Sequence, residues 1–97
     1  MKKGDYIITD NGEKKVLNAD AKYKKGDVVY FFINIGFYID IKILKINEIV
    51  NVIANKPIYN FEDADSPSES EDYLYTKEEL LKIINQEIEN MELNYEN

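Results

Sequence analysis

The sequence predicts a β-rich α+β domain: a small antiparallel barrel, preceded by an N-terminal β-hairpin and followed by a C-terminal amphipathic α-helix. Three stretches carry that expectation. Lys24-Lys25-Gly26-Asp27 runs into Val28-Val29-Tyr30-Phe31-Phe32-Ile33. A short apolar run that follows a turn signal and is rich in β-branched and aromatic residues reads as a well-buried central strand. Residues 38–46 alternate apolar with polar, and Thr76-Lys77-Glu78-Glu79 opens a segment of helical periodicity. Ninety-seven residues make one domain. It divides into a hairpin (1–23), barrel strands (24–61), an acidic loop (62–75) and a helix (76–95).

In chain order, Gly4 to Thr9 reads as a first strand. Asp10-Asn11-Gly12 follows, and Asn-Gly suits the positive-φ positions of a type I′ turn. Glu13 to Leu17 returns as the second strand, and residues 18–23 connect onward. Lys24-Lys25-Gly26-Asp27 repeats Lys2-Lys3-Gly4-Asp5. A Gly-Asp turn before each strand accounts for the repeat; an internal duplication is the sharper reading, but it rests on four residues. Asn34 to Phe37, with Gly36 supplying backbone freedom, turns the chain.

From Tyr38 to Ile46, Ile39, Ile41 and Ile43 occupy one face of a half-buried strand, with Asp40, Lys42 and Leu44 on the other. The phase slips near Ile43-Leu44, where a β-bulge would bend the strand as a small barrel requires. Ile39, Ile43, Ile46, Val50 and Ile53 also fit helical spacing, but the density of β-branched residues favours a strand. Val52 to Ala54 and Ile58 to Phe61 are further short strands. Pro57 between them cannot donate to a ladder and belongs at a strand start or an edge.

Glu62 to Asp72 carries six acids, three Ser, one Pro and no base, the composition of a mobile loop. Thr76-x-x-Glu79 is a capping box with Tyr75 and Leu80 placed for a hydrophobic staple. Leu80, Leu81, Ile84, Ile88, Met91 and Tyr95 form an apolar stripe, with Glu78, Glu89, Glu92 and Glu96 on the other side. A helix of this length exceeds what a small barrel needs as a cover. Its far end is expected to fray after Met91, or to meet a second copy or another partner.

Composition excludes more chemistry than it offers. The chain has no His, Cys, Trp or Arg. Without His and Cys, the usual nucleophile–base pairs and zinc sites cannot be built. Arg is the preferred partner of phosphates and guanine edges, so its absence weighs against sequence-specific nucleic-acid recognition. Abundant Lys, Asn, Ile and Tyr beside it also fit codon bias in an AT-rich genome. No apolar run approaches the roughly 20 residues that span a bilayer, and no secretory signal is recognisable after Met1. A cytoplasmic location in a host cell is expected. Charge is uneven: residues 1–45 hold nine Lys against six acids, and residues 46–97 hold three Lys against thirteen. The acidic half would repel nucleic acid and anionic lipid and attract a basic surface.

The Gly26-Asp27-Val28-Val29-Tyr30-Phe31 strand, the Ile-rich strand after it, Ile58-Tyr59-Asn60-Phe61, the acidic loop and Leu74 to Leu81 occur together. Over roughly residues 24–84 this combination resembles small SH3-like β-barrel proteins of phages and low-GC bacteria. The resemblance implies an SH3-like barrel and a mobile-element origin. It implies no activity and supplies no catalytic residues.

The acidic loop reads most simply as a solvated linker, and next as a surface for a basic partner. A calcium site is disfavoured: Asp63 and Asp65 have its first spacing, but Pro67, Ser68 and Leu74 stand where an acid or Asn, Gly and the closing Glu are needed. No metal, cofactor or catalytic residue is expected. The expected function is non-enzymatic binding by a phage-borne inhibitor of the anti-CRISPR type. Its carboxylates would occupy a basic nucleic-acid-binding surface on a host protein, such as a CRISPR effector or another nuclease. The candidate residues are Glu62, Asp63, Asp65, Glu69, Glu71 and Asp72, extended by Glu78, Glu89 and Glu92. Two alternatives stand beside it: an assembly module that dimerises through the C-terminal helix, and a nucleic-acid binder using lysines 2, 3, 14, 15, 22, 24 and 25.

Overall fold

The two Lys-Lys-Gly-Asp copies fold into the same turn in the computed structural model, which describes residues 1–36 and 38–96. In each, the Asp amide donates to the first Lys carbonyl (3.0 Å at both sites). The Asp carboxylate accepts from that same Lys amide, at 2.8 Å for Asp5 and 2.9 Å for Asp27. Gly4 and Gly26 sit at φ +92° and +91°, the third position of a type II turn, which only glycine takes without strain. Each Gly amide then donates to, and each Asp carbonyl accepts from, one buried aliphatic residue in, or one position past, a neighbouring strand. That residue is Leu17 for the first copy and Ile46 for the second, all at 2.9 Å. The repeat is one local solution used twice, to start a strand in register.

The first copy starts a hairpin of β1 (Tyr6–Ile8) and β2 (Lys14–Val16), which form their own two-stranded sheet. Its turn is not type I′. Gly12 is at φ +78°, but Asn11 keeps a negative φ, the Gly12 amide donates to the Thr9 carbonyl and the Thr9 amide to the Glu13 carbonyl. That is the three-residue loop in which an ordinary turn ends on a left-handed glycine.

The second copy starts the main sheet, whose elements in chain order are β3 (Val28–Ile35), β4 (Tyr38–Ile53), β5 (Lys56–Phe61), β6 (Glu69–Ser70) and β7 (Leu74–Tyr75). The sheet is antiparallel, in the order β6-β5-β4-β3-β7. The expected residue Phe37 of the β3–β4 turn lies outside the described residues, as does the side chain of Glu96. β3 alternates rather than being buried on both faces: Val29 and Phe31 point into the core, while Val28 is exposed and Tyr30 and Phe32 are half-buried.

β4 runs unbroken for 16 residues, and its bulges fall later than expected, between Ile46 and Glu48 and between Ile49 and Asn51. Each inserts one residue, so Ile46, Ile49 and Val52, three apart, all turn towards the interior. The helical spacing of Ile39, Ile43, Ile46, Val50 and Ile53 therefore does not form a helix: all five lie in this strand, whose period of two is interrupted twice. The expected burial of Ile39, Ile41 and Ile43 does not hold. Leu44 and Ile46 take the core face, which puts the three isoleucines on the opposite pleat, all exposed.

The interior has two clusters. Val29, Phe31, Leu44, Ile46, Tyr59, Phe61, Leu74 and Tyr23 form the larger, and Ile7, Leu17 and Val52 form the smaller under the N-terminal hairpin. Ile49 packs against both. β5 pairs with β4 only from Ile46 onward, and β7 pairs with β3 only at Tyr30 and Phe31. Beyond these limits β3 and β4 continue as a two-stranded ribbon with both outer edges unpaired.

Residues 62–75 are not a loop throughout, since β6, a 3-10 turn (Glu71–Tyr73) and β7 lie within them. Helix α1 (Lys77–Glu96) starts at the capping box as expected. The Thr76 amide donates to Glu79 Oε1 (2.9 Å), and the Glu79 amide donates to Thr76 Oγ1 (3.2 Å). Leu80 is buried, but residues 85–95 are all exposed. Anchored by its first turns alone, the helix helps stretch the chain to 54 × 27 × 21 Å.

The type I′ turn stands at Ala54-Asn55, joining Ile53 to Lys56, with φ +51° and +65°. Alanine in a left-handed conformation is strained. Ala54→Gly is therefore expected to stabilise the fold by about 0.5–1 kcal/mol, the relief of that strain less glycine's entropy cost. Urea unfolding measures it, and an unchanged or lower midpoint would contradict this turn.

Candidate functional site

A tyrosine hydroxyl sorts the acidic residues into those that hold the fold and those left for a partner. Tyr59, on β5, has no exposed surface. Its hydroxyl accepts from the Tyr23 amide (3.3 Å) and donates to Glu71 Oε2 (2.7 Å). The same carboxylate oxygen accepts from the Lys22 amide (3.2 Å). Burial, reinforced by the Glu71 carboxylate, pushes the Tyr59 phenol far above its ordinary range. The Tyr23 ring packs edge-on against Tyr59, with centroids 5.8 Å apart, and its hydroxyl donates to the Leu74 carbonyl (3.0 Å).

Lys22 continues the network outward, donating to Glu79 Oε1 (2.7 Å) and Oε2 (2.6 Å). Bonds from Lys22 and the Thr76 backbone hold the Glu79 carboxyl below the usual carboxylate value. Partial burial works against the Lys22 ammonium, but its bonds to Glu79 and Tyr23 outweigh that and raise its pKa.

The nine expected partner-binding acids therefore have different duties. Glu71 is a structural acceptor. Glu69, on β6, is half-buried, and burial raises its pKa against the pull of Lys42. Asp72 pairs with Lys56 (3.4 Å) and Glu62 with Lys45 (3.8 Å). Both pairs are solvent-exposed, of a kind worth roughly 0–1 kcal/mol, so a partner's cation can displace either lysine. Asp63 accepts from the Asp65 amide (3.0 Å), a local turn that leaves the loop's carboxylates outward. Glu62 and Asp63 border a shallow groove with Asn47, Asn60, Ser66 and Ser68.

Glu78, Glu89 and Glu92 are exposed on the helix, sharing a side and spanning roughly 21 Å from first to last. Sequence reasoning missed Glu87, which is also exposed but on another side of the helix. Lys82 is the last cation of the chain, so the helix carries no counter-charge beyond it. The nine acids thus differ in availability: those at 62–65 and on the helix are exposed, while Glu71 is bonded to Tyr59 and Glu69 is half-buried.

Several lysines of the proposed basic half are also occupied. Lys22 is held by Glu79, Lys15 lies 3.5 Å from Glu13, and Lys14 sits over the Tyr6 ring. Among the described residues, no group of three or more acids, His or Cys is arranged to hold a metal, and no helix is long and apolar enough to cross a membrane.

Fold and surface together define a β-rich antiparallel protein with one C-terminal helix and two exposed acidic regions. No protein-family model, curated protein or solved structure matches this chain.

Two substitutions separate structural from available acids. Tyr59→Phe strips Glu71 and the Tyr23 amide of a partner and is expected to cost about 1–3 kcal/mol, measured by urea unfolding. Glu69 behaves oppositely. Its raised folded-state pKa means that its contribution is favourable in acid and lost as pH rises through that pKa. Glu69→Gln is therefore expected to raise the melting temperature at neutral pH, the gain vanishing below the usual carboxylate pKa. An equal gain at all pH values would rule out ionisation as the cause.

Proposed function

We propose that this chain is a non-enzymatic protein-binding inhibitor from a phage or mobile element, of the anti-CRISPR type. Its exposed carboxylates occupy a basic, nucleic-acid-binding surface of a host defence protein in the cytoplasm. An SH3-like barrel is the architecture that goes with this reading, and the bend at the two β4 bulges supports it. The carrying observation is the projecting helix: its stretch from residue 85 to 95 is exposed and bears Glu87, Glu89 and Glu92, with no lysine within that stretch. Carboxylates held on a regular scaffold compete with phosphates for Lys and Arg, giving fast association that weakens with salt. Asp63, Asp65, Glu78, Glu89 and Glu92 lead in this role, with Glu62 and Asp72 joining once a partner displaces their lysines. Glu71 serves the fold, and Glu69 is half-buried and has no part in this surface.

The test replaces Asp63 and Asp65 by Asn and Glu78, Glu89 and Glu92 by Gln, leaving Glu71 and Glu79 intact so that folding is preserved. Tagged wild-type and neutralised chains are used for capture from a low-GC bacterial lysate containing a CRISPR effector, at low and high salt. The wild type is expected to retain a nucleic-acid-binding protein at low salt only, and the neutralised chain to retain none. Equal capture by both chains would refute the electrostatic mechanism.

A further inference from the structure

Two apolar faces of this small chain are left uncovered, and their charges differ. The first is the outer face of the β3–β4 ribbon. Strand pairing puts Val28, Tyr30 and Phe32 beside Ile39, Ile41 and Ile43 on one pleat. Val28 and the three isoleucines are exposed, Ile43 to 67%. Among the described residues its strand positions carry no acid, although the chain has 19, and their one charge is Lys45, which lies across from Val28 and 3.8 Å from the Glu62 carboxylate. The second is the helix stripe: Leu81, Ile88, Met91 and Tyr95 are exposed, Met91 to 69%.

We propose that a second copy of this chain lays its C-terminal helix across the outer face of the β3–β4 ribbon, and receives the first copy's helix on its own ribbon, in a two-fold exchange. Three observations favour this occupant. The lengths agree: Leu81 to Tyr95 spans roughly 21 Å of helix, and Val28 to Asn34 roughly 20 Å of strand. The area suffices: the exposed apolar side chains of the two faces offer on the order of 1,000 Å², against the roughly 800 Å² that each partner gives to a standard interface.

Charge selects the pairing. On a helical projection, Glu87 and Glu92 flank the stripe, one on each side. Two helices packed stripe to stripe would bring these acids together with no lysine to answer them, a destabilising arrangement. The ribbon's own strand positions carry no acid, and the one carboxylate at its base, Glu62, is already paired with Lys45, so a helix laid there meets less like-charge repulsion. The exchange also leaves Glu78 and Glu89 on the side of the helix away from the stripe, and it does not depend on the proposed basic partner.

Sedimentation velocity of the full chain across a micromolar range tests the exchange. Ile43→Glu and Met91→Glu alter exposed side chains, so the core is untouched; circular dichroism checks that both variants fold. The wild type is expected to be a dimer, and each variant to dimerise about thirtyfold more weakly. Mixing the two variants is expected to restore part of the dimer, because a mixed pair keeps one intact helix-on-ribbon contact. A wild-type monomer throughout the range would overturn the proposal. So would a dimer sensitive to Met91→Glu but not Ile43→Glu, which marks helix pairing, or the reverse, which marks ribbon pairing alone.

Discussion

The hydroxyl of Tyr59 is the constraint on which the arrangement of the elements depends. A phenol buried without exposed surface must find hydrogen-bond partners, since leaving it unmade costs more than the bond itself contributes. Here the partners are the Tyr23 amide and Glu71. Satisfying one side chain therefore fastens the irregular segment at 18–23 and the 3-10 turn at 71–73 to β5. Once Tyr23 is fixed, its own hydroxyl places Leu74, and with it β7, against β3. Lys22, next in the chain, then reaches Glu79 and ties the same segment to the first turn of the helix. The direction in which the helix leaves the body is set by a chain of polar contacts that begins in the interior.

That network explains why counting charges misjudged the acidic segment. Its composition was plain in the sequence, but its division of labour was not. Glu71 and Glu69 lie two residues apart among similar neighbours, and nothing local says that one accepts from a buried phenol and the other is partly desolvated. Asp63 and Asp65 are exposed, and the turn that Asp63 makes with the Asp65 amide is a local matter. A segment of six acids thus contains both fold determinants and available charge, and only the latter can serve recognition without loss of stability.

The same distinction between local and non-local explains how much of the fold was legible. The capping box at Thr76, the hairpin after β1 and the repeated Lys-Lys-Gly-Asp turn each depend on a few consecutive residues, and each forms where the sequence places it. The face on which Ile39, Ile41 and Ile43 lie is set by Leu44 and Ile46 taking the core side further along the strand, which the alternation of residues 38–43 cannot reveal. The positive-φ turn went to Ala54-Asn55 rather than Asn11-Gly12 because the strands on either side fixed a two-residue connection there. Tertiary pairing overrode the stronger local signal.

The ribbon's unpaired edges set a limit of a different kind. Phe32 to Ile35 on β3 and Tyr38 to Leu44 on β4 present backbone donors and acceptors with no neighbouring strand, and neither stretch contains a proline or a bulge. Such edges are templates for further strands, and covering the ribbon's flat face does not close them. The chain's net charge of −7, with Asp40 and Lys42 on the β4 edge, opposes such edge-to-edge pairing. Salt that screens this repulsion removes the guard while leaving the template, so the solubility ceiling of the protein should fall with ionic strength and be governed by the ribbon rather than by the stability of the core.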